Sequence, residues 1–297
     1  MSLSLDRGER KIAKVLSGKH KNKDIYINTG ETGNVGMLSK KFFEKYKKLK
    51  KSKAKKLKRA LEWGERPEEK DLQEIYDSAA EDIKKISTDK FKLDGKLSPV
   101  PQDGIIEKIY VSAPSGAGKS TWCSKYIKKY KKMFPENEVY VFSTVEEDEA
   151  LDKHDPIRVN LHELVEGVNP YDYEYSLCVF DDVDSITETP IRNAVIALRG
   201  WLLEQGRHIK ARMLCTSHIL MNYKSTRRLL NEATAVVMFP KAGSTYQIKK
   251  FLEKYVGMDS KDITKLLRLD SRWVAVYKTY PTFIMYEKGV YLLNQEE

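Results

Sequence analysis

Long apolar runs, paired cysteines and metal-binding histidine motifs are missing from this chain of 297 residues. No stretch of 18 or more apolar residues occurs, so we expect no transmembrane helix. The polar N-terminus does not resemble a secretory signal, which favours an intracellular, cytoplasmic protein. The cysteines are odd in number, far apart and close to apolar residues, which indicates reduced thiols rather than a disulfide framework or a zinc site. They are Cys123, Cys178 and Cys215.

The net charge of +10 is distributed unevenly along the chain. Residues 1–100 contain 26 Lys and Arg against 16 Asp and Glu, whereas residues 101–297 contain 27 of each sign. The basic excess therefore belongs to the N-terminal third and is attached to an electrically neutral remainder. A basic segment of this kind favours an anionic partner such as nucleic acid.

The N-terminal third divides into several segments. Asp24–Asn28 is predicted as a short strand. Lys40–Arg59 holds 12 Lys or Arg residues and one acid, and we predict a basic helix that contacts nucleic acid. The alternative for Lys40–Arg59 is a solvated helix or a disordered arm. Apolar residues recur on one face of a second predicted helix, Pro67–Ile86, and residues 87–105 are predicted as a linker because they are rich in Gly and Pro.

From Ile106 onward, apolar strand-like segments alternate with longer amphipathic ones. This alternation predicts an α/β fold, a mostly parallel sheet with helices on both faces. We therefore divide the chain into a basic, largely helical N-terminal region, 1–100, and an α/β domain, 101–297. The predicted strands are Lys108–Ser112, Glu138–Ser143, Leu177–Phe180, Met213–Thr216 and Ala235–Phe239. The predicted helices are Lys119–Met133, one capped by Thr189 and running to Gln205, and two near 245–256 and 260–268, followed by a hairpin across Trp273–Leu293.

A glycine-rich loop joins the first of these strands to the first helix. Its glycines let the backbone approach a phosphate closely, and the amides at the helix N-terminus attract negative charge. Lys119 would reach the β- and γ-phosphates, and the Ser120 hydroxyl would bind Mg²⁺. The loop is therefore predicted to be a P-loop that binds ATP and Mg²⁺, with alanine in place of the first glycine of the pattern. The expected nucleotide-binding residues are Ala113, Pro114, Ser115, Gly116, Ala117, Gly118, Lys119, Ser120 and Thr121.

Two aspartates follow a wholly apolar strand roughly sixty residues after the P-loop. A buried strand presents the residues after its C-terminal end at the edge of the sheet where open α/β sheets bind ligands. Asp181 is predicted to hold Mg²⁺, and Asp182 to orient or deprotonate the attacking water. Asp184 is expected to cap or line a loop.

The strand Glu138–Ser143 separates the P-loop strand from the aspartate strand along the sequence. This additional strand resembles the arrangement in the RecA-like, AAA+ and FtsK-like motor ATPases, in which a strand is inserted between the P-loop strand and the acidic strand. The next strand leads into polar residues that would sense the γ-phosphate, and the sensor candidates are Thr216, Ser217 and His218. The alternative for His218 is an ordinary loop histidine.

Four groups of residues together resemble the poxvirus-type genome-packaging ATPases of the FtsK–HerA superfamily, which belong to the RecA-like (ASCE) P-loop NTPases. They are Gly118-Lys119-Ser120-Thr121, Asp181-Asp182, Gly206-Arg207-His208, and Thr226-Arg227-Arg228 with Asn231. The resemblance covers about residues 97–240 and does not obviously extend to the basic N-terminal third. The sequence departs from the family pattern at two positions. Ala113 replaces the first glycine of the P-loop, and His218 stands where relatives often carry glutamine.

The resemblance implies an ATPase that pumps double-stranded DNA into a capsid as a ring-shaped homo-oligomer. It implies capsid or membrane-associated viral proteins as partners, and a location in the host cytoplasm, a viral factory or the virion. It also makes Arg207 the candidate arginine finger, acting on the nucleotide of the neighbouring subunit. Arg227 and Arg228 are the alternatives for that role.

Other functions remain open at this point. A cellular FtsK/HerA-like DNA translocase or helicase belongs to the same class. A nucleotide or nucleoside kinase would need an arginine-rich lid, whereas residues 144–167 begin with acidic residues. A nucleic-acid-binding scaffold with an inactive site is disfavoured by the intact Lys119, Ser120, Asp181 and Asp182. Only about 80 residues follow the sensor strand, so we expect no nuclease domain and no DNA cleavage.

Overall fold

The computed structural model describes residues 1–6, 8–29, 89–102, 104–222 and 226–293. The two helices predicted over 40–59 and 67–86 lie outside the described residues. The described strands form one sheet of four strands and one of ten.

Strands occur from the second residue to the end of the described chain. They are β1 (Ser2–Leu5), β2 (Arg10–Val15), β3 (Asp24–Asn28), β4 (Lys90–Lys92), β5 (Leu97–Pro99), β6 (Lys108–Ser112), β7 (Val139–Phe142), β8 (Ile157–Arg158), β9 (Leu177–Phe180), β10 (Arg212–Ser217), β11 (Ala235–Met238), β12 (Val274–Tyr277), β13 (Phe283–Tyr286) and β14 (Gly289–Leu292). The α-helices are α1 (Lys119–Met133), α2 (Glu149–Asp152), α3 (Thr189–Gln205), α4 (Arg227–Glu232), α5 (Thr245–Phe251) and α6 (Ser260–Leu267). Single turns of 3₁₀-helix lie at Glu163–Val165, Pro170–Tyr173 and Val183–Ser185, and a π-helical segment, Leu252–Val256, continues α5.

The large sheet has the strand order β4-β14-β13-β12-β11-β6-β10-β9-β7-β8. The strands from β11 to β8 pair in parallel. The strands β12, β13, β14 and β4 extend the sheet by antiparallel pairing. The predicted α/β fold of the P-loop NTPase class is confirmed, and the predicted C-terminal hairpin is a three-stranded antiparallel extension of the same sheet.

The two faces of the large sheet pack against different layers. Ile109 and Val111 of β6 belong to one core together with α1 and the small sheet. Tyr110, on the opposite face of β6, belongs to a second core with α3, α5 and α6. Because both faces are covered, every residue of β6, β9, β10 and β11 is buried. The three cysteines are buried and free, as predicted.

The strand predicted between β6 and β9 along the sequence is confirmed as β7, but β7 does not lie between them in the sheet. In the sheet, the strand between β6 and β9 is β10, whereas β7 lies on the far side of β9. Parallel strands are joined by crossover connections, and a crossover can skip sheet positions, so sequence order does not determine spatial order. The chain therefore passes from β6 to β7, returns to β9, and fills the remaining position with β10. The polar residues at the end of β10 consequently lie between the P-loop and the two aspartates.

The N-terminal region and the predicted linker also differ from expectation. The strand predicted at Asp24–Asn28 is confirmed as β3, but residues 2–5 and 10–15 are strands as well, so the described start of the chain is not helical. The linker prediction for residues 87–105 was wrong, because β4 pairs with β14 of the large sheet and β5 pairs with β2 of the small one. Gly95 lies in the turn between the two short strands, and Pro99 is the last residue of β5.

The small sheet, in the order β1-β3-β2-β5, is antiparallel and packs on α1. Its buried Leu3, Ile12 and Ile25 share a core with Trp122 and Tyr126 of α1. The first strands of the chain are therefore part of the structure that supports the P-loop helix. Thr189, predicted as an N-cap, is the first residue of α3, and Glu188 precedes it. None of the described helices combines the length and apolar composition that a membrane span requires.

Candidate nucleotide-binding site

The P-loop connects β6 to α1 at the edge where the parallel strands end. Gly116 has φ 73° and Gly118 has φ 107°, a backbone region in which an L side chain is strained. A Cβ atom placed on Gly116 would meet no atom within 4 Å. Glycine at 116 is thus needed for the backbone conformation, and the space above it remains open.

The loop is tied to the neighbouring strand at its first residue. The Ala113 amide donates a hydrogen bond of 3.2 Å to the Ser217 carbonyl, and Lys119 Nζ donates one of 3.0 Å to the Ala113 carbonyl. Ala113 is almost fully buried, so its methyl group packs in the core. Alanine in place of the first glycine is therefore accommodated by the fold.

The residues present fit a phosphate chain with Mg²⁺. Gly118 precedes α1 without any side-chain cap on the helix, so the amides of the first turn are not occupied by a capping side chain. Ser120 is half-buried in that turn. Among the described residues, no group of three or more His, Cys, Asp or Glu side chains forms a metal cage. Mg²⁺ in nucleotide sites is usually bound by one or two protein oxygen ligands and by the phosphates, whose charge it neutralises. One hydroxyl and one or two carboxylates match this pattern.

One hydroxyl group at the end of β10 contacts both aspartates. Thr216 Oγ1 lies 2.9 Å from Asp181 Oδ1 and 3.1 Å from Asp182 Oδ1. The backbone amide of Asp182 donates a hydrogen bond of 2.9 Å to the same Thr216 oxygen, Oγ1. Ser143, directly after β7, donates to Asp181 Oδ2 at 3.4 Å. Ser143 was not predicted as a site residue, although a position directly after a parallel strand indicates that it lies at this edge of the sheet.

Lys119, His218 and Asp182 form a second connected group. Lys119 Nζ lies 3.1 Å from His218 Nδ1 and 3.4 Å from Asp182 Oδ2, and His218 Nε2 lies 2.9 Å from Asp182 Oδ2. An ammonium group only donates hydrogen bonds, so Nδ1 must accept and the imidazole proton is on Nε2, where it can donate to Asp182. His218 therefore contacts both charged groups of the site and is not an isolated loop histidine. The Ser217 side chain, in contrast, forms hydrogen bonds with the backbone of Ile219 in its own loop.

Asp181 is the more buried of the two acids, with 7% exposure. Burial raises the pKa of Asp181, and the nearby charges of Asp182 and Asp148 raise it further, while the hydrogen bond from Thr216 and the charge of Lys119 lower it. An additional cation at this carboxylate would favour its ionised form, as expected of a metal ligand.

Asp182 has a backbone conformation that is uncommon for a residue other than glycine, with φ 44° and ψ 34°. Strained residues of this kind are concentrated at functional sites. The chain turns there into the 3₁₀ segment Val183–Ser185. Asp184 within that segment binds the buried Arg199 at 3.1 Å, so its role is an ion pair under the loop.

Arg207, the predicted finger, is exposed and lies away from the P-loop of its own chain. It precedes β10, whose first residue, Arg212, is paired in register with Leu177 at the start of β9. Arg207 is thus at the N-terminal edge of the sheet, separated from the P-loop edge by the length of β10, roughly 20 Å for six residues. Contact with a nucleotide would require a neighbouring subunit, and that role stays a prediction. Arg228, an alternative, pairs with Glu204 at 3.0 Å.

No protein-family model matches the sequence. The chain is 40% identical over 199 residues to the uncharacterized protein V3 of Sputnik virophage, a match that spans 66% of this chain and 81% of the virophage protein. This chain belongs to the V3 family. The relative is a viral protein of uncharacterized activity, so family membership supports a viral origin and assigns no activity.

Several solved structures that resemble this V3-family member are described as NTPases or ATPases. The genome packaging NTPase B204 from Sulfolobus turreted icosahedral virus 2, in complex with sulfate, is 11% identical with a TM-score of 0.42, covering 64% of this chain and 98% of that one. Its complex with ATP-γS is 12% identical with a TM-score of 0.40, covering 61% and 96%. The cytoplasmic domain of the type VII secretion ATPase EccC from Thermomonospora curvata is 14% identical with a TM-score of 0.44, covering 70% and 29%. Because these TM-scores are low, the fold assignment rests on the strand order and the P-loop.

Proposed function

We propose that this protein is an ATPase that moves double-stranded DNA and packages a viral genome into a capsid. The observation that carries the catalytic part is the pair of contacts from Thr216 to Asp181 and Asp182, at 2.9 and 3.1 Å. One strand, β10, thereby connects the residue assigned to Mg²⁺ with the residue assigned to water activation. A sensor needs such a connection, because loss of the γ-phosphate would alter the contacts of the two aspartates and thereby the position of β10.

The chain's own residues account for each requirement of hydrolysis. Lys119 neutralises the β- and γ-phosphates, and Asp182 accepts a hydrogen bond from the attacking water and orients it. Asp181 and Ser120 would hold Mg²⁺, which supplies charge neutralisation at the phosphate oxygens. His218 holds the Asp182 carboxylate at 2.9 Å. Catalysis of this type depends on position and electrostatics, so the fixed contacts of Asp182 support it.

The charge distribution supports DNA as the partner, and the virophage relative supports a viral origin. The net charge of +10 belongs to residues 1–100, and the most basic stretch is Lys40–Arg59. Membership of the V3 family places a relative in a virophage. In this proposal the basic stretch binds phosphates without reading base sequence, and subunits assemble into a ring in which Arg207 reaches the next nucleotide.

The test of the catalytic part measures ATP hydrolysis by the full chain with and without linear double-stranded DNA, alongside the oligomeric mass. We expect stimulation by DNA and a multimeric particle. Lys119→Ala should abolish hydrolysis because the phosphate charge loses its main cation, whereas Lys128→Ala, an exposed lysine of the same helix, should retain it. Unchanged turnover in Lys119→Ala would contradict the proposal. Transfer of phosphate to a nucleoside instead of release to water would favour the kinase alternative.

The DNA-binding part is tested by neutralising lysines rather than by deletion. Removing the first 60 residues would also remove β1, β2 and β3, which share a core with α1. Replacing the lysines of 40–59 by glutamine should lower DNA affinity equally for unrelated sequences. If about four phosphate contacts are lost, the slope of log K against log salt should flatten by about 3.6, at about 0.9 per phosphate. An unchanged slope together with failed assembly on viral proteins would indicate that the segment is a docking arm.

A further inference from the structure

The loop that follows β10 carries His218 and is anchored to the P-loop strand at two points. Before His218, the Ser217 carbonyl accepts a hydrogen bond of 3.2 Å from the Ala113 amide. After it, the Ile219 carbonyl accepts a hydrogen bond of 2.5 Å from the hydroxyl group of Tyr110, a residue of β6. The backbone on both sides of His218 is therefore held by β6 and by the first residue of the P-loop.

The imidazole of His218 is not fixed by burial. Its side chain is 45% exposed, and it reaches Lys119 Nζ at 3.1 Å and Asp182 Oδ2 at 2.9 Å through polar contacts. The side chain of Ile219, the next residue, is exposed as well. An exposed side chain can change rotamer readily, so the position of the imidazole beside Asp182 depends on where the backbone of the loop is held.

Tyr110 is a rigid point from which to hold that backbone. It is almost fully buried, and it is paired in register with Cys215 of β10 and Val236 of β11. Its ring is thus enclosed by the central strands of the sheet, and the hydroxyl group projects from them to the loop. A buried hydroxyl group needs a hydrogen-bond partner. The partner here is the carbonyl group directly after His218, which places Tyr110 one residue from the catalytic contacts.

Gln247 of α5 holds the next part of the same loop. Its side-chain oxygen, Oε1, accepts hydrogen bonds from the Leu220 amide at 3.2 Å and the Met221 amide at 3.5 Å. Leu220 is also buried in the core beneath α5. The loop is therefore held by β6 on one side of His218 and by both β6 and α5 on the other.

We propose that Tyr110 is a positioning residue for ATP hydrolysis, which acts by fixing the backbone after His218 so that the imidazole keeps its contact with Asp182. Gln247 supports the same loop from α5. This inference rests on the proposed ATPase function. A group that orients an attacking water must itself be held to within a fraction of an ångström, so loosening the partner of Asp182 should slow hydrolysis. Binding of ATP through the P-loop amides and Lys119 should change little.

Steady-state ATP hydrolysis by the full chain tests the role of Tyr110. Tyr110→Phe removes the hydroxyl group and keeps the ring, so kcat should fall by roughly ten-fold with KM nearly unchanged. Tyr130→Phe is the matched control. Tyr130 is a buried residue of α1 whose hydroxyl group donates to the Tyr175 carbonyl at 3.4 Å, away from the P-loop. The control removes the same kind of hydrogen bond and should keep the wild-type kcat.

Gln247 provides a second pair of variants. Gln247→Met keeps the length of the side chain and removes the acceptor oxygen, so kcat should again fall with KM nearly unchanged. Gln247→Glu keeps an acceptor oxygen for the two loop amides and should retain most of the activity. Circular dichroism of all variants shows whether they fold.

A double-mutant cycle with His218→Ala separates positioning from a general loss of stability. In the His218→Ala background, Tyr110→Phe should cause no further fall in kcat, because no imidazole remains to be positioned. An effect through stability would instead lower kcat by the same factor in both backgrounds.

The outcomes distinguish the positioning role from the ATPase function itself. Wild-type kcat in Tyr110→Phe, or an equal loss with and without His218, would overturn the positioning role and leave the ATPase function intact. Absence of ATP hydrolysis by the wild type would overturn both. If Tyr110→Phe does not fold, Gln247→Met and Gln247→Glu decide, and equal kcat of these two variants would overturn the role of the loop anchors.

Discussion

Lys119 Nζ and Asp182 Oδ2 lie 3.4 Å apart, so the cation of the P-loop and the acid assigned to water activation form an ion pair across the site. The exposed fractions of the two side chains are 7% and 23%. A γ-phosphate on the P-loop would compete with Asp182 for Lys119. We expect this exchange to release the carboxylate for water, which would link phosphate binding to activation of the nucleophile.

Asp182→Asn should separate binding from hydrolysis. The amide keeps the size of the side chain but cannot act as a base, so hydrolysis should fall by roughly 10²- to 10⁴-fold while ATP affinity is retained. Phosphate release and equilibrium binding of a fluorescent ATP analogue measure the two properties. Asp172→Asn, at an exposed residue away from the site, is the control. Loss of nucleotide binding in Asp182→Asn would show that the roles of Asp181 and Asp182 are wrongly divided.

Thr216→Val should lower turnover without unfolding the protein, because valine matches the shape of threonine but cannot bond to Asp181 or Asp182. We expect a loss of roughly 10- to 100-fold, as for other residues that orient metal and water ligands. Thr216→Ser keeps the hydroxyl and should retain most activity. Steady-state hydrolysis and thermal unfolding of both variants test this. Equal activity of Val and Ser at 216 would mean that the hydroxyl has no sensor role.

Arg207→Ala should reduce hydrolysis by roughly 10³-fold if this residue is a finger acting between subunits. Mixing Arg207→Ala subunits with Asp182→Asn subunits should then restore part of the activity, because a subunit with intact acids can adjoin one with an intact arginine. Activity is measured as a function of mixing ratio. Absence of recovery at every ratio would argue against an inter-subunit role, and the same titration with Arg228→Ala tests the alternative.

Glu107 should make stability depend on pH. Burial raises its pKa from 4.5 to about 7, although hydrogen bonds from Tyr126 and Gln102 and the charge of Arg212 lower it. An acid whose folded pKa is raised binds more protons in the folded state, so stability falls as pH rises from about 4.5 to 7 and is constant above. Across this pH range the free energy of unfolding of the wild type should fall by about 3 kcal/mol relative to that of Glu107→Gln, at 1.36 kcal/mol per pKa unit.

Urea unfolding of both proteins at pH 5 and pH 8 measures that difference for Glu107. Glutamine keeps the size and the acceptor oxygen of the side chain. The free energy of unfolding of Glu107→Gln should therefore equal that of the wild type at pH 5 and exceed it at pH 8. Glu253→Gln, at an exposed position, should behave as the wild type at both. Parallel curves for the wild type and Glu107→Gln would exclude Glu107 as the source.

The local elements that carry nucleotide chemistry could be predicted from the residues alone. The P-loop was recognisable because backbone approach to phosphate needs glycine at particular positions, and Lys119 and Ser120 follow at a set spacing. The strand Leu177–Phe180 was recognisable because a strand covered on both faces is wholly apolar. The predicted strands and long helices after residue 106 occur in the structure with ends that agree or differ by one residue, except that the helix predicted near 245–256 is α-helical to Phe251 and π-helical beyond it.

Which of these elements are neighbours became clear from the folded chain and not before. Crossover connections leave spatial order open, so the sequence did not indicate that β10 separates β6 from β9 or that Thr216 and His218 contact the aspartates. The contacts of β1, β2 and β3 with α1 join residues about a hundred positions apart. Such contacts depend on how layers pack in three dimensions, which local pattern and propensity do not specify.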